Sequence, residues 1–389
     1  MNYESSEKYV ATRAQRMAGL FLPCYAYFTI MGIPLIFNAI ITRLGVDSGT
    51  ATIATTAEVG CISAATLLVS LMLNSLKPRL TMVLAVSLIL IGELASVLID
   101  DFAVLVAARA MAGIGKGLCI GLGLASLARM RGGMRLLSHV GGLTAIITWL
   151  GFLIVPAMEE RLGAAAVFLF NIVLGVVGFA MAFSMPNRCM DRPVTSTLKA
   201  PLSINPKSLS VFSLCLLSSI GASACWLYLQ QVGENNGLTA TGVGLVGSVA
   251  TLASVCAPFI ATVVFARVKS VWPMLLACLS LGLCSHEYVN TTILGFWMVV
   301  IVMSILYLFL MAYARMYSAH VDSSGRSTAA VGAADALGLL IGPVLVATLI
   351  NLDHGYVPLG NLGSALQFLC VFPVLLMLLA KRGVAPVTS

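Results

Sequence analysis

Twelve apolar blocks partition the chain, near 17–42, 51–76, 80–99, 102–128, 138–158, 163–185, 208–232, 239–266, 271–290, 292–318, 326–350 and 361–380. Crossing the ~30 Å hydrocarbon core of a bilayer takes about 20 helical residues at about 1.5 Å each, and each block is of that order. Hydrocarbon offers no partner for a free N–H or C=O, so a block of this length crosses as a helix. Composition agrees, with 59% hydrophobic residues, 10% charged residues and a mean hydropathy of +1.01. A soluble domain carries about 25% charged residues. The expected class is an all-α membrane protein. The first block follows the hydrophilic start MNYESSEKYVATRAQR and has no small-residue cleavage site, so it is expected to be an uncleaved first span.

Charge placement gives the orientation. With both termini in the cytoplasm, 18 of the Lys and Arg residues fall in cytoplasmic loops and tails and only Arg43 and Arg161 fall outside, leaving Arg109 and Lys116 within a block. Positive residues accumulate on the cytoplasmic side of membrane proteins. The net charge of +7 is therefore a topology signal and not a nucleic-acid-binding surface. The expected location is a bacterial-type cytoplasmic (inner) membrane, with the protein a multi-pass monomer.

The longest polar interruption, Met185 to Ser208, is basic and contains prolines. It divides the chain into residues 1–185, a linker at 186–207 and residues 208–389, that is, two halves of six blocks each. The halves retain faint similarity: "TMVLAVSL" at Thr81–Leu88 matches "PMLLACLS" at Pro273–Ser280 in type, each after a short basic loop. Repeats of this kind place a substrate site near the membrane midplane. The ten cysteines, Cys24, Cys61, Cys119, Cys256 and Cys370 among them, form no C-x-x-C pair and no Cys/His metal spacing. They read as small packing residues, and no metal or cofactor is expected.

Two motifs carry a family resemblance. The stretch "LVAARAMAGIGKG" supplies Leu105, Arg109, Gly113, Gly115 and Gly117, and "GAADALGLLIGPVLVA" contains Gly338-x-x-x-Gly342-Pro343. With the six-plus-six pattern and basic linker, the chain resembles the major facilitator superfamily. The resemblance implies twelve transmembrane helices in two six-helix halves around a central cavity. The loop after the second block departs from the family pattern, with Ser70 and Asn74 where glycine and aspartate belong and only Arg79 retained. In the fifth block, Ile147 and Phe152 stand where the exporter signature needs glycine and proline, although Gly151 remains. That departure tilts the reading towards uptake; an exporter of drugs or metabolites is the alternative.

Ionisable residues inside a bilayer are costly and mark functional sites. Glu58, Glu93, Arg109, Lys116 and Asp335 lie within blocks. Glu58 and Arg109 each sit about seven residues from the outer ends of their spans, ~10 Å deep. In the fold that the resemblance implies, the second and fourth helices border the cavity, which makes an Arg109–Glu58 pair plausible as a proton switch. The third helix is peripheral there, so Glu93 is expected to partner Arg109 or to reach the outer interface. Lys116 shares a face with Arg109 and needs an anion: a carboxylate on another helix such as Asp335, or the substrate. Asp335 would pair with it, bind a proton or contact a cationic solute. The two bases tilt the solute towards an anionic group and are expected to face a water-accessible cavity. Arg315 and His320 read as topology anchors.

Tyr25 and Phe28 on the first block, Trp149 on the fifth, Trp226 and Gln230 on the seventh and Tyr307 on the tenth are candidates to line a cavity for an amphipathic organic solute. The glycines of "GIGKGLCIGLG" read as close helix packing and not as a phosphate loop, since no strand precedes them. No G-x-x-x-x-G-K-[ST] run offers ATP binding. The only pair of adjacent aspartates, Asp100–Asp101, lacks the companions an intramembrane enzyme needs. The expected function is proton-coupled secondary transport of a small organic solute by alternating access; a non-transporting sensor that kept the fold is the rival of another class.

Overall fold

The computed structural model describes residues 10–72, 75–130, 133–187, 206–321, 326–353 and 355–382. Most of the expected linker, residues 188–205, therefore lies outside the described residues. The described residues are all-α and divide into two compact units, Met1–Thr197 and Leu198–Ser389.

The first unit contains α1 (Arg13–Met31), α2 (Ile33–Leu44), α3 (Ser48–Met72), α4 (Pro78–Leu98), α5 (Phe102–Arg129), α6 (Gly133–Leu162) and α7 (Ala166–Ala182). Polar residues start three of these helices, α1, α3 and α5, by supplying acceptors for free N–H groups. Thr12 and Gln15 form a reciprocal capping box at α1. Asp101 accepts from the Val104 N–H at the head of α5, while Asp100 pairs with Arg43 at 2.9 Å. The acidic pair is thus one cap and one surface ion pair. Asp47 accepts from both the backbone N–H and the hydroxyl of Thr50 at the head of α3, and these bonds, the hydroxyl's first, hold its carboxyl below the usual carboxylate range. Arg79 donates to the Met185 carbonyl, tying the start of α4 to the end of α7.

The second unit contains α8 (Pro206–Leu227), α9 (Leu229–Asn235), α10 (Ala240–Ser254), α11 (Ala257–Val268), α12 (Trp272–Glu287), α13 (Ile293–Val321), α14 (Arg326–Asp353), α15 (Val357–Leu369) and α16 (Val371–Arg382). Its α8 and α14 approach closely: a Cβ on Gly338 would lie 2.3 Å from the Ser219 Cβ, and one on Gly342 2.3 Å from the Ile220 carbonyl oxygen. Pro343 lies inside α14.

Among the described residues, nine helices are long and apolar enough to cross a membrane, and ten if the bent pair α1 and α2 counts as one span. That pair turns by 57° at Gly32-Ile33-Pro34, where proline removes a backbone donor. One of the nine, His139–Ala182, runs 44 residues through α6 and α7 and is interrupted by a tight turn at Gly163–Ala165. The expected ninth span corresponds to α12, which has only 16 residues.

The surface pattern identifies the solvent. On α4 the outward stripe is Leu84, Ile91 and Leu98, all more than half exposed, whereas Glu93 and Ser96 are fully buried. A helix that shows its apolar face and hides its carboxylate is stable only where the outside is hydrocarbon. This is a multi-pass membrane protein.

Candidate functional site

The charged residues form two separate groups, one in each unit. In the first unit α5 lies between α3 and α4, and its glycines set the spacing. Cβ atoms on Gly113 and Gly117 would lie 2.4 Å from the carbonyl oxygens of Glu58 and Ile62 on α3. One on Gly115 would lie 2.3 Å from the Ala85 oxygen on α4. Ordinary side chains at these positions would hold the helices apart.

This close approach brings four charges together. Arg109 makes a bidentate pair with Glu93, through Nη1 to Oε2 at 3.1 Å and Nη2 to Oε1 at 2.8 Å. Lys116 Nζ donates to Glu58 Oε1 and Glu93 Oε1, both at 2.7 Å. Glu58 Oε1 also stands 3.3 Å from Arg109 Nη2. The guanidinium carbon lies 5.2 Å from the centroid of the Phe168 ring on α7. None of the four side chains is more than 1% exposed. Two cations and two anions sum to zero, and each anion touches both cations. Such balance is what allows charge to stay in a dry interior.

Several expectations change here. Glu93 takes the first of its two expected places, as a partner of Arg109, but it is the principal one, and the expected Arg109–Glu58 pair is secondary to it. Lys116 finds the expected carboxylate on another helix twice, in Glu58 of α3 and Glu93 of α4. Both bases are enclosed by helices instead of facing water, so the tilt they gave towards an anionic solute disappears. Once the exposures mark the lipid stripe of α4 at 84, 91 and 98, the helical period places position 93 on the opposite face.

In the second unit Asp335 of α14 meets α8 and α13. Its Oδ1 accepts from Tyr307 Oη at 2.5 Å and from Ser219 Oγ at 2.9 Å, and these two hydroxyls lie 3.1 Å apart. Its Oδ2 accepts from Arg315 Nη2 at 3.3 Å. Tyr307, Met311 and Arg315 recur every four residues and so share one stripe of α13; Met311 Sδ is 4.0 Å from Ser219 Oγ. Unlike the first cluster, this one is open: the Asp335 side chain is 19% exposed and Arg315 49%. Arg315, read from sequence as an anchor, is a partner of Asp335, and Ser219 had no signal beyond its small size.

The remaining cavity candidates separate by exposure. Tyr25 is fully buried and donates to the Asn171 carbonyl oxygen at 3.1 Å. Phe28 is fully buried, with its ring centroid 5.3 Å from that of Phe170. Gln230 is buried on α9 and donates to Glu234 Oε1 at 2.7 Å. Trp149 and Trp226 are half-buried. Among the described residues no group of three or more His, Cys, Asp or Glu side chains is arranged to hold a metal ion.

No protein-family model and no curated protein sequence matches the chain. Its fold is nevertheless shared with solved structures. Tetrameric PepTSo2 superimposes with a TM-score of 0.74 at 13% identity, covering 95% of this chain and 99% of the other. A bacterial homologue of the human lysosomal transporter Spinster, inward-facing and occupied, gives 0.74 at 13% identity, covering 95% and 96%. The peptide transporter POT in complex with sulfate gives 0.75 at 12% identity, covering 96% of each chain. The chain therefore shares the fold of these solved structures.

Proposed function

We propose that the protein is a secondary transporter that moves a small organic solute across a bacterial-type cytoplasmic membrane by alternating access, driven by protons. The fold carries this reading: similarity to transporter structures extends over 95–96% of the chain. Twelve spans, with both termini and the 186–207 linker in the cytoplasm, accommodate the one-sided distribution of Lys and Arg. The 44 residues of His139–Ala182 would make a helix of about 66 Å, enough for two crossings. Uptake is the direction we assign, because α6 lacks the exporter signature at Ile147 and Phe152.

Uphill movement without a nucleotide site needs an ion gradient, and carboxylates inside the membrane are the groups able to exchange a proton. The coupling candidates are Glu58 with Arg109, and Asp335. Solute-lining candidates are the side chains that remain partly open, Trp149 in the first unit and Trp226, Tyr307 and Asp335 in the second. Because one structural neighbour is named a peptide transporter, short peptides head the panel for testing, followed by small organic acids and amines.

The test uses purified protein in proteoliposomes with an imposed pH gradient, after thermal-shift screening of the same panel. Accumulation of a hit above equilibrium, abolished by a protonophore, is the expected result. A hit that binds but never crosses the membrane would identify a sensor and end the transport reading.

A further inference from the structure

We infer that the coupling proton is carried by Asp335, in the cage formed by Tyr307, Ser219 and Arg315, while the four-charge cluster of the first unit stays ionised throughout the cycle. This rests on the proton-coupled reading above and decides which of its candidate carboxylates does the work.

Charge balance separates the two groups. In the first unit, adding a proton to Glu58 or Glu93 would leave two cations facing one anion, with each of the four side chains at most 1% exposed. The surplus charge would have neither water nor a counterion, an expensive arrangement in a dry interior. Proton entry also needs a path, and these carboxyl groups are sealed among α3, α4 and α5. The cluster is suited to holding three helices in register.

Asp335 differs on both counts. Its Oδ1 is fixed by two hydroxyl donors, at 2.5 Å from Tyr307 and 2.9 Å from Ser219. Neither hydroxyl carries a charge, so both bonds persist whether the acid is ionised or neutral. Its Oδ2 is the exchangeable edge, facing a single guanidinium at 3.3 Å that is itself 49% exposed. A proton arriving from water forms the O–H bond at Oδ2. The carboxyl group then carries no charge, and Arg315 exchanges its carboxylate partner for water, which its exposure permits. Loss of the proton to water restores the pair. Among the described residues, other groups facing this site are few: α8 adds the buried Cys215 thiol one turn before Ser219, α13 adds Met311, and α15 carries no ionisable side chain. One carboxylate, one releasable cation and two neutral clamps make a two-state element that a proton can bias.

Infrared difference spectra of the full-length protein in liposomes, taken between acid and alkaline buffer, read the carboxyl C=O stretch directly and need no substrate. We expect one protonated-carboxyl band that appears in acid, is lost in Asp335→Asn and survives in Glu58→Gln and Glu93→Gln. Tyr307→Phe removes one hydrogen bond to the carboxyl oxygen and should move that band to higher wavenumber, a check that does not depend on the aspartate variant folding. A band that persists in Asp335→Asn, a band lost in Glu58→Gln, or no titrating band at all would overturn the assignment. Transport separates this failure from that of the wider reading. If wild-type protein shows no pH-driven accumulation of any thermal-shift hit, proton-coupled transport falls, and the assignment with it. If wild type accumulates a hit and Asp335→Asn does so equally well, only the assignment falls.

Discussion

Arginine keeps its proton at any pH a cell reaches, so a buried guanidinium must find its anion in the protein. Arg109 finds two, and Lys116 shares both. Removing one member of such a set costs more than removing a balanced pair, because the remaining charges lose compensation. We expect Arg109→Gln to destabilise the protein by about 3–5 kcal/mol, read as the shift in denaturant or thermal unfolding in detergent. The double substitution Arg109→Leu with Glu93→Leu removes equal and opposite charges and should recover most of that loss. Equal stability of wild type and Arg109→Gln would show that the cluster does not hold the unit together. Sequence alone identified the membrane-embedded charges as significant. It did not rank Glu93 above Glu58, because the ranking depends on which helix faces which.

At the scale of elements, the run "GIGKGLCIGLG" is explained by three neighbours of α5, the last glycine, Gly123, lying against Pro23 of α1. Gly113, Gly117 and Gly121 form one stripe towards α3, while Gly115 faces α4. Lys116, between Gly115 and Gly117, consequently reaches carboxylates from both sides. A methyl group on Gly117 would sit 2.4 Å from the Ile62 oxygen and 2.7 Å from the Ala65 Cβ, which forces α3 outwards. Gly117→Ala should therefore cost about 1–3 kcal/mol, the usual range for overpacking, in the same unfolding assay. Gly142→Ala on α6 is the control: its Cβ would meet nothing within 4 Å, and alanine favours a helix over glycine by up to about 1 kcal/mol. If both substitutions behave alike, close approach is not the reason for the glycine run. The same geometry recurs in the second unit, where Gly338 and Gly342 bring Ser219 of α8 against α14 beside Asp335.

For the whole molecule, the distribution of Lys and Arg makes a prediction about Cys189, which lies in the linker and outside the described residues. In a variant whose other cysteines are replaced by alanine, a membrane-impermeant maleimide should label Cys189 in inside-out vesicles and not in intact cells. Labelling from the outer face would invert the orientation and the depths assigned to Glu58 and Arg109 from it.

The sequence by itself determined the solvent and the all-α class, and it supplies the orientation we propose, because each is set by local or summed properties. Block length against bilayer thickness, the cost of an unpaired backbone group in hydrocarbon and the placement of positive loops need no knowledge of which helices touch. Two short motifs, read with the block pattern and the basic linker, pointed to a transporter fold, and the superpositions show one shared with transporter structures. Contacts between helices were decided only by the tertiary structure. The 3.6-residue period tells which residues share a face but not which neighbour that face meets, and ångström-level reach depends on where glycines let backbones close in. For that reason only the tertiary structure put Lys116 on both Glu58 and Glu93, and Asp335 in a half-open cage with an arginine that the sequence had marked only as an anchor.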